Sequence, residues 1–200
     1  MSELTFTHKL PRHPFTDTRA RIESAALRLF VQKGVAETTI RDIARDVGIS
    51  EGALYRHFLS KEQLVWRLFE QNYVDFAGRL ATLADGAHAT RDKVAAMIRG
   101  FCVAHDEHPA LFRFLLFVQH GQLGKLAADA PTPVEVVRRV IDQGMAAGDI
   151  PPQNPDLATA LVFGVVLETV QFAAFGRLPP TMTAVSDRLV AAAWAAITAV

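Results

Sequence analysis

The 200-residue sequence predicts an all-α fold of about nine helices. Apolar residues recur at spacings of three and four along most of the chain, as on one face of a helix. No stretch alternates apolar and polar residues as a half-buried strand would. The breaks between periodic stretches carry Gly or Pro, at His108-Pro109, Pro131-Thr132-Pro133, Pro151-Pro152, Pro155 and Pro179-Pro180. Half of the residues are hydrophobic and 21% are charged, the balance of a globular chain rather than a disordered or fibrous one.

Taken in order, residues 1–15 contain Pro11 and Pro14 without periodicity and are expected to form a flexible arm. Over 17–33, Ile22, Ala26, Leu29 and Phe30 lie at helical spacing, with Lys33 in the last turn and Gly34 as the stop. Thr39 followed by Asp42 has the form of a capping box, opening a short helix that runs to about Val47. Gly48 can adopt the left-handed conformation that ends it, and Ser50 is a good N-cap for a second short helix over 50–58. Ala44 is small where the two would cross, and Ile40, Ile43, Val47 and Leu54 supply apolar contacts. Two short helices joined this way are a helix-turn-helix.

Ser60 with Glu62 and Gln63 starts a longer helix whose stripe is Leu64, Val65, Leu68, Phe69, Tyr73, Phe76 and Leu80. Beyond Gly86 further helices are expected over 90–106, 109–122, 133–147, 155–176 and 180–199. The domain reading is an arm over 1–15, a helix-turn-helix domain over 16–61 and a helical domain over 62–200. Within the last, residues 62–84 form a connecting helix.

Charge divides unevenly. Residues 1–61 carry ten Lys/Arg against seven Asp/Glu, a balance of +3, and the remainder balances at −3. That asymmetry points to a polyanion as partner of the front end. The longest apolar stretches, near 157–167 and 189–200, are each about a dozen residues, short of the roughly 20 of a bilayer span. No membrane partner is expected. The N-terminal MSELTFTHKLPRHPF lacks a secretory pattern, and the lone Cys102 has no intrachain disulfide partner, so a cytoplasmic location is expected.

The segment AALRLFVQKGVAETTIRDIARDVGISEGALYRHFLSKEQL resembles the DNA-binding domain of the TetR family of bacterial transcriptional regulators. The order LF…KG, TTIRDIA, VGIS, LYRHF, SKEQL carries the resemblance, which covers roughly the first third of the chain. It implies operator DNA as partner, a small-molecule effector, and a homodimer formed through the last two helices.

A short helix fixed by a partner helix fits a major groove, and the helix over 50–58 would be the reader. Its first turn presents Glu51, Gly52 and Ala53, the last two small enough for close approach to DNA. Arg56 is the side chain there able to pair bidentately with guanine. The resemblance places Thr39, Tyr55, His57 and Lys61 at phosphate-holding positions, with Arg41 a further contributor. Helix N-termini at Thr39, Ser50 and Ser60 add backbone N–H groups. Phe58 matches a core position of the family.

Residues 157–175 are apolar on nearly every face, and the last helix is rich in Ala. Such surfaces are expected to pack on a second copy of the chain, which in turn predicts a pseudo-palindromic operator. Of thirteen Phe residues, Phe101, Phe112, Phe114, Phe117 and Phe163 fall in helices that by resemblance surround the ligand, and two or more are expected to line a cavity. Val94, Ile98 and Phe101 continue at helical spacing into His105, and Leu161 and Val165 into Glu168. Glu168 is the one charged residue between Asp156 and Arg177. If buried it needs a partner: a ligand, His105, Arg188 or a second subunit. The candidate ligand-binding set is Phe101, His105, Phe112, Leu116, Gln119, Phe163, Glu168 and Gln171, with His120 a further polar anchor.

Catalytic patterns are not found: no G-x-S-x-G, H-E-x-x-H or C-x-x-C, and 121–125 is no P-loop. His105 and His108 share a helix face but are too few for a metal site, so no cofactor and no metal are expected. The expected function is a ligand-responsive repressor and not an enzyme. An activator or corepressor-dependent repressor, or a helical ligand-binding module without DNA binding, are the alternatives.

Overall fold

The computed structural model describes residues 18–178 and 181–199. The expected arm over 1–15 and the Pro179-Pro180 break lie outside them. Among the described residues there are nine α-helices, two 3-10 turns and no strand. The helices are α1 Thr18–Lys33, α2 Ile40–Val47, α3 Glu51–Tyr55, α4 Lys61–Asp85, α5 Thr90–Glu107, α6 Pro109–Gln122, α7 Pro133–Ala147, α8 Pro155–Ala174 and α9 Ser186–Thr198.

Two compact units share the chain. The described residues through Asn72 pack with 108–128, and residues 73–107 pack with 129 onward. The expected boundary at 61/62 divides by function, whereas the division by packing falls inside α4 and gives α6 to the first unit. The reason is aromatic: Phe114 of α6 is buried and stacks on Phe30 of α1, centroids 5.9 Å apart.

In the first unit α1 buries Ile22, Ala25, Ala26 and Phe30, and α2 buries Ile40, Ile43, Ala44 and Val47. The capping box forms as the spacing predicts: Thr39 N–H donates to Asp42 Oδ2 at 3.0 Å, and Asp42 N–H donates to Thr39 Oγ1 at 3.1 Å. Gly48 ends α2 at φ +76°, a conformation that strains residues with a Cβ. Ser50 caps α3 by accepting from Ala53 N–H at 3.1 Å. The second motif helix is shorter than expected: it stops at Tyr55, and the His57 and Phe58 N–H groups both turn back onto Leu54 O at 2.8 and 3.0 Å. One carbonyl taking two donors tightens the chain, and Phe58 then drops into the core at 1% exposure.

The second unit is held by contacts far apart in sequence. Phe76 meets Phe101 edge-on with centroids 5.7 Å apart. Thr90 Oγ1 donates to Asp149 Oδ2 at 2.7 Å, and Arg99 pairs with Asp187 at 3.0 Å. Gly144 of α7 sits so close to its neighbours that a Cβ would lie 2.5 Å from the Thr90 methyl and 2.8 Å from Ile150 Cδ1. The last helix begins at Ser186 rather than near 180, after a 3-10 turn over Thr183–Val185. That turn is tied to α5: Asp106 accepts from Met182 N–H at 2.7 Å, Thr183 N–H at 2.9 Å and Thr183 Oγ1 at 2.7 Å.

As a helix, α8 is longer than its unbroken apolar run. Its 20 residues are long and apolar enough to cross a membrane by length and composition alone, so the helix exceeds the run of about a dozen residues read from the sequence. Within the unit α8 buries Ala158, Thr159, Val162, Val166 and Val170 against its neighbours and leaves its opposite face exposed.

Candidate functional site

Around α3 the burial pattern decides which side chains face out. Leu54 is fully buried and Ala53 half-buried, so α3 lies with that edge on the core. Glu51, Gly52, Tyr55, Arg56 and His57 are exposed. A Cβ added to Gly52 would meet nothing within 4 Å, so the backbone there is open to close approach. Arg56 is the C-cap of α3, not a residue one turn further along it, because the helix ends at Tyr55. Its φ of −69° and ψ of −22° nevertheless continue the helical direction, which keeps it on the outer side with Gly52.

Thr39 and Arg41 at the start of α2 are exposed as well. Thr39 Oγ1 donates to Asp42 Oδ2 at 2.7 Å, and Lys33 reaches the same oxygen at 2.9 Å. The Lys33 hydrogen bond, then the backbone and hydroxyl bonds from Thr39, hold the Asp42 carboxyl far below its ordinary value. Lys61 is half-buried and engaged: Nζ donates to Val35 O at 2.9 Å and Ala36 O at 3.1 Å, tying α4 to the loop between α1 and α2. An ammonium has three N–H donors, so one is left for an anion. Nothing in the sequence flags this loop tie. Ser50 Oγ is the α3 cap, and Ser60 Oγ likewise accepts from Gln63 N–H at 3.1 Å. Phe58 lies in the core beneath Arg19, whose guanidinium carbon is 5.1 Å from the ring centre.

Exposed donors on two short capped helices, over a core that fixes their crossing, make a surface able to hold phosphates and reach base edges. The family described as bacterial regulatory proteins, tetR family, matches residues 22–68. The transcriptional repressor KstR2 of Mycobacterium tuberculosis is 30% identical over 161 residues, 76% of each chain. The chain belongs to the TetR family. Its fold agrees with solved transcriptional regulators: the ketosteroid transcriptional regulator KstR2 of Mycobacterium tuberculosis superposes with a TM-score of 0.71 at 23% identity over 92% of this chain and 96% of that one. The regulator FadR of Bacillus subtilis in complex with stearoyl-CoA gives 0.72 at 17% identity over 90% and 98%. These relatives are regulators rather than enzymes, and this TetR-family chain is a transcriptional regulator.

The second unit contains a cavity of about 30 Å³. Its lining comes from Leu80 of α4, Val94, Met97, Ile98 and Phe101 of α5, Val137 of α7, and Val162, Phe163 and Val166 of α8. Every lining side chain is apolar. Of the expected ligand set, Phe101 and Phe163 are here, and the α5 stripe read from the sequence supplies Val94 and Ile98. Leu80 ends the α4 stripe read from the sequence, whereas Met97, Val137, Val162 and Val166 lie outside the expected residues, because an apolar spacing does not distinguish a cavity wall from filled core.

The other expected residues lie elsewhere. Phe112, Leu116 and Gln119 belong to α6 in the first unit; Phe112 is buried and the other two half-buried. Phe114 stacks on Phe30, and Phe117 is 77% exposed. His105 is half-buried, its Nδ1 3.2 Å from Asp106 Oδ1. Burial pushes the Asp106 carboxyl up, but bonds from Thr183, Met182 and His105 outweigh it and leave it below the ordinary value. Glu168 and Gln171 are exposed on α8, off the cavity, so the burial that would force Glu168 onto a partner within the chain is not there. They share that face with Leu157, Leu161, Phe172 and Phe175, which are 57%, 37%, 48% and 68% exposed. Cys102, wholly buried, has its thiol pushed up to about 11 by burial and by Asp106, the opposite of an activated nucleophile.

Proposed function

We propose that this regulator is a repressor that binds a pseudo-palindromic operator as a homodimer and leaves it when an apolar or amphipathic small molecule enters the second unit. The observation that carries the reading is a cavity with a wholly apolar wall in a chain whose other unit presents an exposed helix-turn-helix. Residues 16–61 are then the DNA-reading part and 62–200 the effector and dimer part. Arg56 reads a base, while Thr39, Tyr55, His57 and the remaining Lys61 donor hold phosphates.

The effector class follows from the wall. Without a polar lining group, the cavity favours hydrocarbon, such as an acyl chain or a fused-ring skeleton, with any polar head outside it. The repressor KstR2 and a regulator crystallised with stearoyl-CoA are consistent with that class. Since small-molecule sites enclose roughly 300–1,000 Å³, a cavity of about 30 Å³ must open to admit such a molecule. Opening is the differential interaction that lets an effector shift the DNA-binding equilibrium. Helix α4 supplies both Leu80 of the cavity wall and the Lys61 tie of the first unit, which makes it the element to carry the shift.

The homodimer is inferred from α8 and α9. Leu157, Leu161, Phe172 and Phe175 form an exposed apolar stripe on α8, and Ala191, Ala192 and Ala195 leave small exposed steps on α9. An apolar stripe of this extent is the kind of surface a second copy covers.

The test is capture of random genomic fragments at near-physiological salt, followed by titration with stearoyl-CoA and with a ketosteroid. The expected result is one inverted repeat, bound less tightly by about tenfold or more when Arg56 becomes Ala, and released by one of the two probes. Capture of no common sequence, or retention unaffected by Arg56→Ala, overturns the DNA reading. Release by neither probe overturns the effector class.

A further inference from the structure

Resting on the DNA-binding reading, we propose that Arg41 and Glu51 act as one base-reading unit that selects a C·G pair in each half-site. Arg41 stands at the start of α2 and Glu51 on the first turn of α3, and Arg41 Nε lies 3.8 Å from Glu51 Oε1. Both are open to solvent, with side chains 75% and 50% exposed. Holding α2 to α3 does not require this pair, since Ile43, Ala44, Val47 and Leu54 are buried between them and contribute far more. A carboxylate on the leading turn of a reader helix is, moreover, unfavourable toward phosphates. Within the chain it suits the N-terminus of α3, and toward DNA it is of use where a donor is presented.

The major groove presents such donors at base edges. A C·G pair sets the cytosine N4 amino group beside the O6 and N7 acceptors of guanine. A carboxylate accepts from the first, and a guanidinium fork donates to the other two. The ion pair offers this set in one place: Glu51 as acceptor, Arg41 as two-pronged donor. Its pairing runs through Nε, so the outer edge of the guanidinium carrying Nη1 and Nη2 is the part that meets guanine. Open space over Gly52, next to Glu51, lets the backbone come close enough. A pair of adenine and thymine offers the carboxylate the adenine N6 donor but gives the guanidinium only the single N7 acceptor on that base, one bond fewer than C·G. In this assignment Arg41 is a base reader, not a phosphate contact, and Arg56 reads a separate base.

The experiment is selection from a random duplex library with the wild-type protein, Glu51→Ala, Glu51→Gln and Arg41→Ala. Affinities are then measured on the recovered operator and on a copy with that C·G pair exchanged. Wild type is expected to prefer the C·G pair by about tenfold or more. Glu51→Ala and Arg41→Ala are expected to lose the preference at that position and keep every other one. Glu51→Gln is expected to accept adenine there, because a carboxamide pairs with its N6 and N7. Identical base preferences in all four proteins, or a uniform rise or fall in affinity across sequences, overturns the proposal and leaves the pair as a surface link. If wild type itself recovers no sequence, the DNA reading fails, a result distinct from the first. Thermal melting checks that the variants stay folded, as substitutions at exposed positions should.

Discussion

In the first unit Asp42 accepts the N–H of Thr39, three residues before it; in the second Asp106 accepts the N–H groups of Met182 and Thr183, 76 and 77 residues after it. Both carboxylates satisfy backbone donors where a helical segment begins, and both are held below their ordinary values. The difference is range. Local caps and one turn glycine fix the ends of α2 and α3 within a few residues, whereas the 3-10 turn ahead of α9 is tied to α5 from more than 70 residues away. A reading surface has to keep its shape when DNA arrives, and short-range caps serve that. A cavity that must open is better built from long-range apolar contacts, which can shift without breaking local hydrogen bonds.

The sharpest way to break the comparison is to empty the first core. Phe58→Ala should cost about 3–5 kcal/mol, because a fully buried ring leaves a cavity under Arg19. Urea denaturation gives the size, and hydrogen exchange should show α2 and α3 amides opening while those of α8 stay protected. Loss of protection throughout α8 would mean that the two units unfold as one. Next in size is Gly144→Ala in the second unit. Its Cβ meets the Thr90 methyl at 2.5 Å, and overpacking of this kind costs about 1–3 kcal/mol. Faster exchange in α7 with unchanged operator affinity is the expected outcome.

Thr39→Ala removes a cap and should cost about 1 kcal/mol, with α2 fraying in exchange measurements. Unchanged exchange there would show that packing alone holds the helix. Smallest is the effect of acid. A carboxyl held below its unfolded value stabilises the fold above that value, 3.8 for aspartate, and the contribution is lost as pH falls through the lower folded value. Melting temperature should therefore fall as pH drops below 3.8 toward the lower folded values, and fall less in Asp42→Asn and Asp106→Asn, each reporting its own unit. Curves parallel to wild type would remove the linkage.

Much of the first unit was legible because its instructions lie within a few residues of each other. The Thr39–Asp42 box, Gly48 and the Ser50 cap each act over two to four positions, and each is present. The end of α3 at Tyr55 was not, since helical periodicity runs on through Phe58 while the turn that stops the helix depends on how Leu54 O is shared. Nor was the Lys61 tie, which joins residues 25 and 26 positions apart. In the second unit the α5 stripe was readable, but spacing cannot say which apolar side chains touch a void.

By itself the sequence determined the helical class, the helix-turn-helix with its caps, the family, and the burial of Phe58. Tertiary structure alone decided that α6 joins the first unit, that Glu168 faces outward, that Gly144 is a point of close approach, and that Asp106 caps a turn far along the chain. Local signals are written in backbone geometry over one helical turn, whereas these depend on which faces meet, and meeting is settled by the packing of the whole unit.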